Sequence, residues 1–153
     1  MRIPIQVLVY PVRQRGSKWE YLLLRRIERR EGFWQGVTGG VEQGEELDEA
    51  ARRELFEETG FVPLKLERID FSYSFPVADE WRYLYAPDVR EIIEYVFVAY
   101  VDAGKEPVLD YREHDHYKWY NIQEALILLN WPENREALKR CHETITQKRV
   151  KLE

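Results

Sequence analysis

The stretch that decides the fold begins with paired glycines and ends in a helix crowded with carboxylates. It reads Gly39-Gly40-Val41-Glu42-Gln43-Gly44-Glu45-Glu46-Leu47-Asp48-Glu49-Ala50-Ala51-Arg52-Arg53-Glu54-Leu55-Phe56-Glu57-Glu58-Thr59-Gly60-Phe61. Leu47, Ala51 and Leu55 recur every four residues, so they share one helix face that needs a core. Gly60 can adopt a left-handed cap, and Pro63 disfavours continuation of the helix. The stretch therefore predicts a glycine-rich loop followed by one short amphipathic helix.

The acidic face of that helix is unfavourable unless something compensates its charge. Glu54, Glu57 and Glu58 stand at positions i, i+3 and i+4, so their carboxylates line one face. A like-charged i,i+4 pair costs a helix roughly 0.2–0.5 kcal/mol, and the helix dipole disfavours negative charge in the last turn. Mg²⁺ binds hard oxygen ligands and would reverse this balance. The alternative is an acidic face that is simply solvated.

The spacing G-x5-E-x7-R-E-L-x-E-E-x-G-F resembles the Nudix box at every defined position. A solvated face would have to explain this whole register and not the charge alone. The resemblance implies a single Nudix domain over residues 1–153, an α+β fold with a mixed central β-sheet between α-helices. It also implies hydrolysis of phosphoanhydride bonds with Mg²⁺, or with Mn²⁺ as a substitute. Runs of strands mixed with a few helices agree with an α+β class.

The same resemblance implies roles for particular residues. The metal ligands would be the carbonyl of Thr38 and the carboxylates of Glu54, Glu57, Glu58 and Glu113. The catalytic set would be Glu57, Glu58 and Glu113, each a candidate base, with Arg53 orienting carboxylates through forked hydrogen bonds. The sequence does not choose among the three bases.

Several shorter segments are similar to bacterial dihydroneopterin triphosphate pyrophosphohydrolases, which have also been described as dATP pyrophosphohydrolases. They are Phe33 to Glu42, Tyr85-Ala86-Pro87, Glu113-His114 with Tyr117-Lys118-Trp119, and Trp131 with Asn134-Arg135. This similarity extends from Ile5 to about Leu138. The chain departs from the pattern in a longer charged loop from Ile27 to Gly32 and in a polar tail beyond Gln147.

This second resemblance implies which residues would meet the substrate. They are Arg2, Arg25, Thr38, Tyr85 and Asn130. Trp34, Phe75, Trp81 and Tyr85 are candidate walls for stacking a flat heterocycle. The expected partner is a small nucleotide or pterin triphosphate, cleaved to a monophosphate and pyrophosphate.

Each of these roles has a plainer alternative. Arg25 could be an ordinary charge at a strand end, and Asn130 a turn residue before Trp131-Pro132. His114 and His116 are expected to be solvent-facing loop histidines, because Mg²⁺ prefers oxygen. For function, the alternatives are a hydrolase of diadenosine polyphosphates or ADP-ribose, and a nucleotide-sensing Nudix module without catalysis. Such modules usually lose box carboxylates, whereas this chain keeps all of them.

Composition narrows the class of protein. The chain has 153 residues, of which 33% are charged and 44% hydrophobic, with a net charge of −5. This length suits one domain with its own core, and the acidity argues against nucleic acid polymers as partners. A single cysteine, Cys141, suggests a reducing compartment and a small buried or half-buried side chain rather than a catalytic one. With neither a signal-peptide pattern nor a long apolar run, a cytoplasmic protein that does not enter membranes is expected. The sequence does not indicate an oligomeric state.

Hydrophobic periodicity predicts the remaining elements. The expected strands are Ile3 to Val12, Trp19 to Arg26, a short extended segment from Phe33 to Val37, Leu64 to Phe75, Arg90 to Val101, and Tyr117 to Tyr120. Helices are expected over Ile122 to Leu129 and Asn134 to Ile145, with a break at Trp131-Pro132. Val37 to Gly40 is expected to be a loop.

Overall fold

The computed structural model describes residues 1–28 and 32–152, with side chains described up to residue 147. The strands are β1 (Ile5–Arg15), β2 (Lys18–Arg26), β3 (Trp34–Gln35), β4 (Val37–Gly40), β5 (Lys65–Pro76), β6 (Glu91–Tyr100) and β7 (His114–Tyr120). The helices are α1 (Leu47–Thr59), α2 (Ile122–Leu128) and α3 (Pro132–Leu152), with a 3-10 helix at Asp79–Leu84. Within the described ranges, no helix is long and apolar enough to span a membrane.

The strands of the described residues form one mixed sheet of seven strands. Its main path runs β3-β2-β1-β6-β5, while β4 pairs with β1 and β7 pairs with β2. β1 and β6 are parallel, and the other pairs are antiparallel. β1 contributes its first half to β4 and its second half to β2 along the same edge. β2 and β4 therefore pair with different halves of β1, and the glycine pair lies in β4.

Strict alternation along β1 builds two cores, one on each face of the sheet. Val7 and Val9 face α1 and pack with Leu55 and other buried residues. Leu8 and Tyr10 face the opposite side, where the cluster includes residues of α2 and α3. We call these two sides the α1 face and the α3 face. The predicted α+β class, with a mixed central sheet between helices, is confirmed.

Helix α1 has clear boundaries because both ends are capped. At its start, the amide of Glu46 donates to the carboxylate of Glu49 at 3.0 Å, half of a capping box. At its end, Gly60 has φ 74° and its amide donates to the Phe56 carbonyl at 2.8 Å. The predicted left-handed cap is therefore confirmed. Glu57 and Glu58 remain in a last turn that contains no basic residue.

Three predicted elements differ from the structure, and part of a predicted loop lies outside the described residues. Val37 to Gly40 is not a loop but strand β4, because its backbone pairs with β1. Strand β7 begins at His114, not Tyr117, since its first residues pair with the end of β2. Helix α3 runs from Pro132 to Leu152 and so includes the backbone of most of the predicted polar tail; proline suits a first helical position. Residues 29–31 of the charged loop from Ile27 to Gly32 lie outside the described residues.

Candidate active site

The two box glycines of β4 face opposite sides of the sheet. Gly39 pairs with Val7 and therefore faces α1. A Cβ at Gly39 would lie 1.9 Å from the carboxyl carbon of Glu54, so only glycine leaves room for that carboxylate. Gly40 pairs with Gln6 on the α3 face, and a Cβ there would meet nothing within 4 Å. One glycine thus accommodates a carboxylate, and the other leaves open space.

Arg53 connects the glycine-rich segment to the carboxylates of α1. Its guanidinium donates to both oxygens of Glu45 at 2.8 and 2.9 Å and to the Gly40 carbonyl at 2.8 Å. It also donates to Glu54 at 2.8 Å and lies 3.5 Å from Glu57. The hydrogen bond from Arg53 lowers the pKa of Glu45. A planar fork of donors suits this task better than a lysine.

Glu58 is the most deeply buried carboxylate of the site, with 8% of its surface exposed. Burial raises its pKa well above the ordinary value, and the nearby charges of Glu54 and Glu113 raise it further. The backbone amide of Thr38 and the charge of Arg26 act in the opposite direction. The Oε2 atom of Glu58 has no hydrogen-bond partner among the described residues. A buried carboxylate oxygen in this state is a candidate ligand for a cation.

The structure brings together one group of predicted residues. Six predicted residues lie around the junction of β4, α1 and the start of β7: Thr38, Arg53, Glu54, Glu57, Glu58 and Glu113. Glu57 is at the solvent side, with 56% of its side chain exposed. Glu113 is half-buried, and its carbonyl accepts from the Ile27 amide at 3.0 Å. This bond holds Glu113 beside the end of β2, although it is far from the box in sequence.

His114 corrects the sequence interpretation. It is not a solvent-facing loop histidine but a buried residue of β7, 1% exposed. The side-chain amide nitrogen of Gln35 lies 2.9 Å from its Nε2, so Nε2 accepts and the proton of the neutral ring is on Nδ1. Nδ1 faces Glu58 Oε1 at 3.7 Å. His116 is solvent-facing as expected, but it too lies in β7.

Arg2 and Tyr85 lie apart from the carboxylates, beside the 3-10 helix. The Arg2 amide donates to the Leu84 carbonyl at 2.8 Å, and the Arg2 side chain is exposed. Tyr85 is 5% exposed and packs in a small cluster with Val77 and Ile92. Since its ring is enclosed by these neighbours, the packing argues against the stacking role predicted for Tyr85.

The remaining candidate substrate residues lie on or near the α3 face. Arg25 forms a forked pair with Asp115 at 3.1 and 3.2 Å, which agrees with a structural strand-end charge. Asn130 is exposed and lies between α2 and α3, as the turn alternative predicts. Trp34 packs edge-to-face on Tyr120, with ring centroids 5.6 Å apart. Neither Arg25 nor Trp34 is oriented towards the carboxylates of α1.

Arg26 and Gln35 are site residues that the sequence analysis missed. Arg26 follows Arg25 and therefore points to the α1 face, where its charge acts on Glu58. Its Nε atom is buried and has no acceptor among the described residues. Alternation along β2 could have identified Arg26, because Leu22 and Leu24 lie on the same face of the strand. Arg26 is a better placed cation for a phosphate than Arg25.

Comparison with known proteins agrees with this geometry. The sequence model of the NUDIX domain family matches residues 2–141. The chain belongs to the Nudix family. Its predicted family is therefore confirmed, and the box residues described above are those of a Nudix domain.

Two relatives and one solved structure extend the comparison. The chain is 34% identical over 140 residues to dihydroneopterin triphosphate diphosphatase of Escherichia coli K12, covering 89% of this chain and 90% of that one. The solved structure of the E. coli dihydroneopterin triphosphate pyrophosphohydrolase matches with a TM-score of 0.75 and 30% identity, over 90% and 94% of the two chains. An octanoyltransferase of Myxococcus xanthus is 36% identical over 135 residues, 88% of this chain. The Nudix chain spans only 36% of that longer protein.

Nudix proteins typically use a divalent metal, and the residues present here fit one. The donors are hard oxygens, and one buried Glu58 oxygen has no hydrogen-bond partner in the described part of the chain. As placed, the described residues do not gather three or more metal-binding side chains into one cluster. Arg53 donates to Glu54, and the charges of Glu54 and Glu113 act on Glu58.

Proposed function

We propose that this Nudix protein is a Mg²⁺-dependent pyrophosphohydrolase of a nucleoside triphosphate-like substrate. Dihydroneopterin triphosphate is the first candidate substrate and dATP the second, with a monophosphate and pyrophosphate as products. The observation that carries the proposal is the buried carboxylate Glu58, which faces two further carboxylates without full compensation by the protein. Similarity to the E. coli diphosphatase over nearly the whole length of both chains supports the choice of substrate.

The metal ligands in this proposal are the Thr38 carbonyl and the carboxylates of Glu54, Glu57, Glu58 and Glu113. When bound, Mg²⁺ would neutralise phosphate charge and lower the pKa of a coordinated water. Mn²⁺ could take the same oxygen donors. Glu58 is the least solvated of these carboxylates, whereas Glu57 remains at the solvent side.

The chain's own residues would perform the positioning. Arg53 fixes Glu45 and Glu54 relative to the Gly40 carbonyl, so the carboxylate face is oriented before substrate arrives. Arg26 would meet a phosphate oxygen, because its guanidinium lies near Glu58 with a donor to spare. Glu57, Glu58 and Glu113 remain candidates for taking the proton of the attacking water. In-line attack on phosphorus then depends mainly on position and charge.

A pyrophosphate-release assay with Mg²⁺ tests the proposal. Dihydroneopterin triphosphate, dATP, diadenosine tetraphosphate and ADP-ribose should be compared at equal concentration. We expect the highest kcat/KM for dihydroneopterin triphosphate. A preference of tenfold, about 1.4 kcal/mol, for either of the last two would replace the substrate while keeping the chemistry. Binding without turnover of any of the four would instead favour a nucleotide-sensing module.

A further inference from the structure

The mechanism makes no use of Glu94, a buried glutamate in the middle of β6. Glu94 is 5% exposed and faces the α3 side, as do Val96 and Val98 along the same strand. The Tyr73 hydroxyl donates to Oε2 of Glu94. In the described residues, Tyr73 is its only hydrogen-bond donor and no cation forms an ion pair with it. A carboxylate has about four acceptor positions, so most of the capacity of Glu94 is unused.

A directional hydrogen-bond network holds Glu94 in place. The side-chain amide of Asn134 donates to the Tyr73 hydroxyl oxygen at 2.8 Å, so the hydroxyl proton is directed at Glu94. The Tyr10 hydroxyl in turn donates to the backbone carbonyl of Asn134 at 2.9 Å. Strands β1 and β5 and the start of α3 therefore converge on a single carboxylate. A satisfied network of this kind rigidifies the polar groups that it connects.

Glu94 lies in line with the box glycines. Gln6 pairs with Gly40 on one side and with Glu94 on the other, so the three form one row across the sheet. Two strand spacings separate Gly40 from Glu94, about 10 Å. Open space lies over Gly40 on the α3 face, the same face that carries the Glu94 side chain. A substrate with its phosphates at the α1 carboxylates could cross β4 at Gly40 and place its ring over this row.

We propose that Glu94 selects the ring of the substrate by accepting hydrogen bonds from two adjacent N–H groups. This inference rests on the proposed function and narrows its substrate class. Guanine and pterin share a 2-amino-4-oxopyrimidine edge that offers two such donors side by side. Adenine offers one donor beside an acceptor, whose lone pair would face the carboxylate. The proposed substrates are therefore triphosphates of a pterin or of guanine, so dGTP replaces dATP, the second candidate named above.

The electrostatics of Glu94 agree with this assignment. Burial raises the pKa of Glu94 to about 7, although the Tyr73 hydrogen bond lowers it. The protein alone therefore stabilises the charged form of Glu94 poorly, and a ring with two N–H donors would supply the missing hydrogen bonds. A site built to pair with two donors also rejects rings that lack them, because its buried oxygens would be left unpaired.

The test compares dGTP, dITP and dATP, since hypoxanthine keeps the ring N–H of guanine but lacks the 2-amino group. Wild type, Glu94→Gln and the matched control Glu91→Gln, which alters an exposed residue of the same strand, should be assayed for kcat/KM with Mg²⁺. We expect Glu94→Gln to lower kcat/KM for dGTP by about tenfold or more, the range for a lost bond to a charged group. The loss for dITP should be smaller, and dATP should stay within about threefold. Dihydroneopterin triphosphate should follow dGTP.

Each outcome decides the inference. An equal loss on all three substrates would assign Glu94 a structural role and overturn the proposal, as would an unchanged preference for dGTP over dITP. Wild-type preference for dATP would overturn it directly while leaving the pyrophosphohydrolase chemistry intact. Failure of wild type to cleave any triphosphate would reject the proposed function itself. If Glu94→Gln does not fold, Tyr73→Phe, which removes the orienting donor and keeps the ring, should show a smaller loss confined to dGTP.

Discussion

The two faces of strand β4 differ in how the sequence encodes them. On the α1 face, Gly39, Arg53 and three of the carboxylates come from one continuous stretch, and helical spacing aligns Glu54, Glu57 and Glu58. Glu113 joins them from the residue before β7. On the α3 face, Glu94 and its neighbours come from β1, β5, β6 and α3, which only the sheet brings together. The first face contains the carboxylates that we propose hold the metal. The second contains groups that could distinguish one ring from another.

The largest expected effect tests the α1 face. Glu58→Gln should lower kcat by at least about 10²-fold, the scale for loss of a key electrostatic group in an active site. Glu54→Gln and Glu57→Gln should act in the same direction. Folding stability should hold or rise, because repulsion with neighbouring carboxylates falls. Steady-state kinetics with Mg²⁺ and urea unfolding measure the two effects, with the exposed α3 residue Glu143→Gln as control. Turnover near the wild-type value in all three variants would remove the carboxylates from the mechanism.

Stability against pH tests the α3 face without any substrate. Glu94 has a pKa of about 7 in the folded protein, above the ordinary 4.5. Its protonated form therefore favours folding at low pH, and this contribution is lost as pH rises through 7. Between the ordinary pKa of 4.5 and the folded value of about 7, Glu94 lowers the free energy of unfolding by on the order of 3 kcal/mol.

Glu94→Gln cannot ionise and should lack this loss. Urea unfolding at about pH 5 and about pH 8 should therefore show the variant gaining stability relative to wild type as pH rises. Tyr73, Tyr10 and Asn134 surround the carboxyl, and none of them ionises in this range. Glu91→Gln should show no such trend. Parallel curves for wild type and Glu94→Gln would mean that Glu94 is not desolvated in solution.

The fold could be predicted largely from the sequence, because most elements follow from local patterns. The alternation in β1 and the four-residue repeat in α1 each identify their own buried face. Strand β4 could not be predicted, since glycine and threonine carry little strand signal and only pairing with β1 orders them. The burial of His114 likewise depends on pairing with Arg26, far away in the chain.

The Glu94 network shows most clearly where local patterns fail. Strand β5 pairs Arg68 with Phe97 and, after an irregularity, Ser72 with Tyr95. Without that irregularity, the first register would place Tyr73 opposite Ile92, whereas the observed register places it opposite Glu94. Neither the irregularity nor its consequence is visible in the residues of β5 alone. The carboxylates of α1 needed no such long-range information.

The adjacent glycines of β4 separate the two faces most directly. Gly39→Ala would place a methyl group on the Glu54 carboxylate, displacing a flexible side chain and not the backbone. We expect kcat to fall about tenfold or more, with little change in the free energy of unfolding, because misplacing a catalytic group is costly. Gly40→Ala would add a methyl group in open space on the other face. Because the substrate is proposed to cross β4 there, the effect should fall on KM. If both variants changed the same kinetic constant, the two faces would not have separate roles.

The smallest expected effect concerns the contact behind Glu58. Gln35 holds His114 so that Nδ1–H faces Glu58 Oε1 at 3.7 Å, too long for a hydrogen bond but close enough to orient the carboxylate. His114→Asn should shorten the side chain and remove the Nδ1–H group that faces Glu58. We expect kcat to fall severalfold, which corresponds to on the order of 1 kcal/mol in the activation free energy, with little change in KM. Gln35→Leu should produce part of the same loss, because the ring could then adopt the other tautomer. His116→Gln, on the exposed side of β7, is the matched control and should resemble wild type. A rise in KM without a change in kcat would show instead that His114 shapes the binding of substrate and not the position of Glu58.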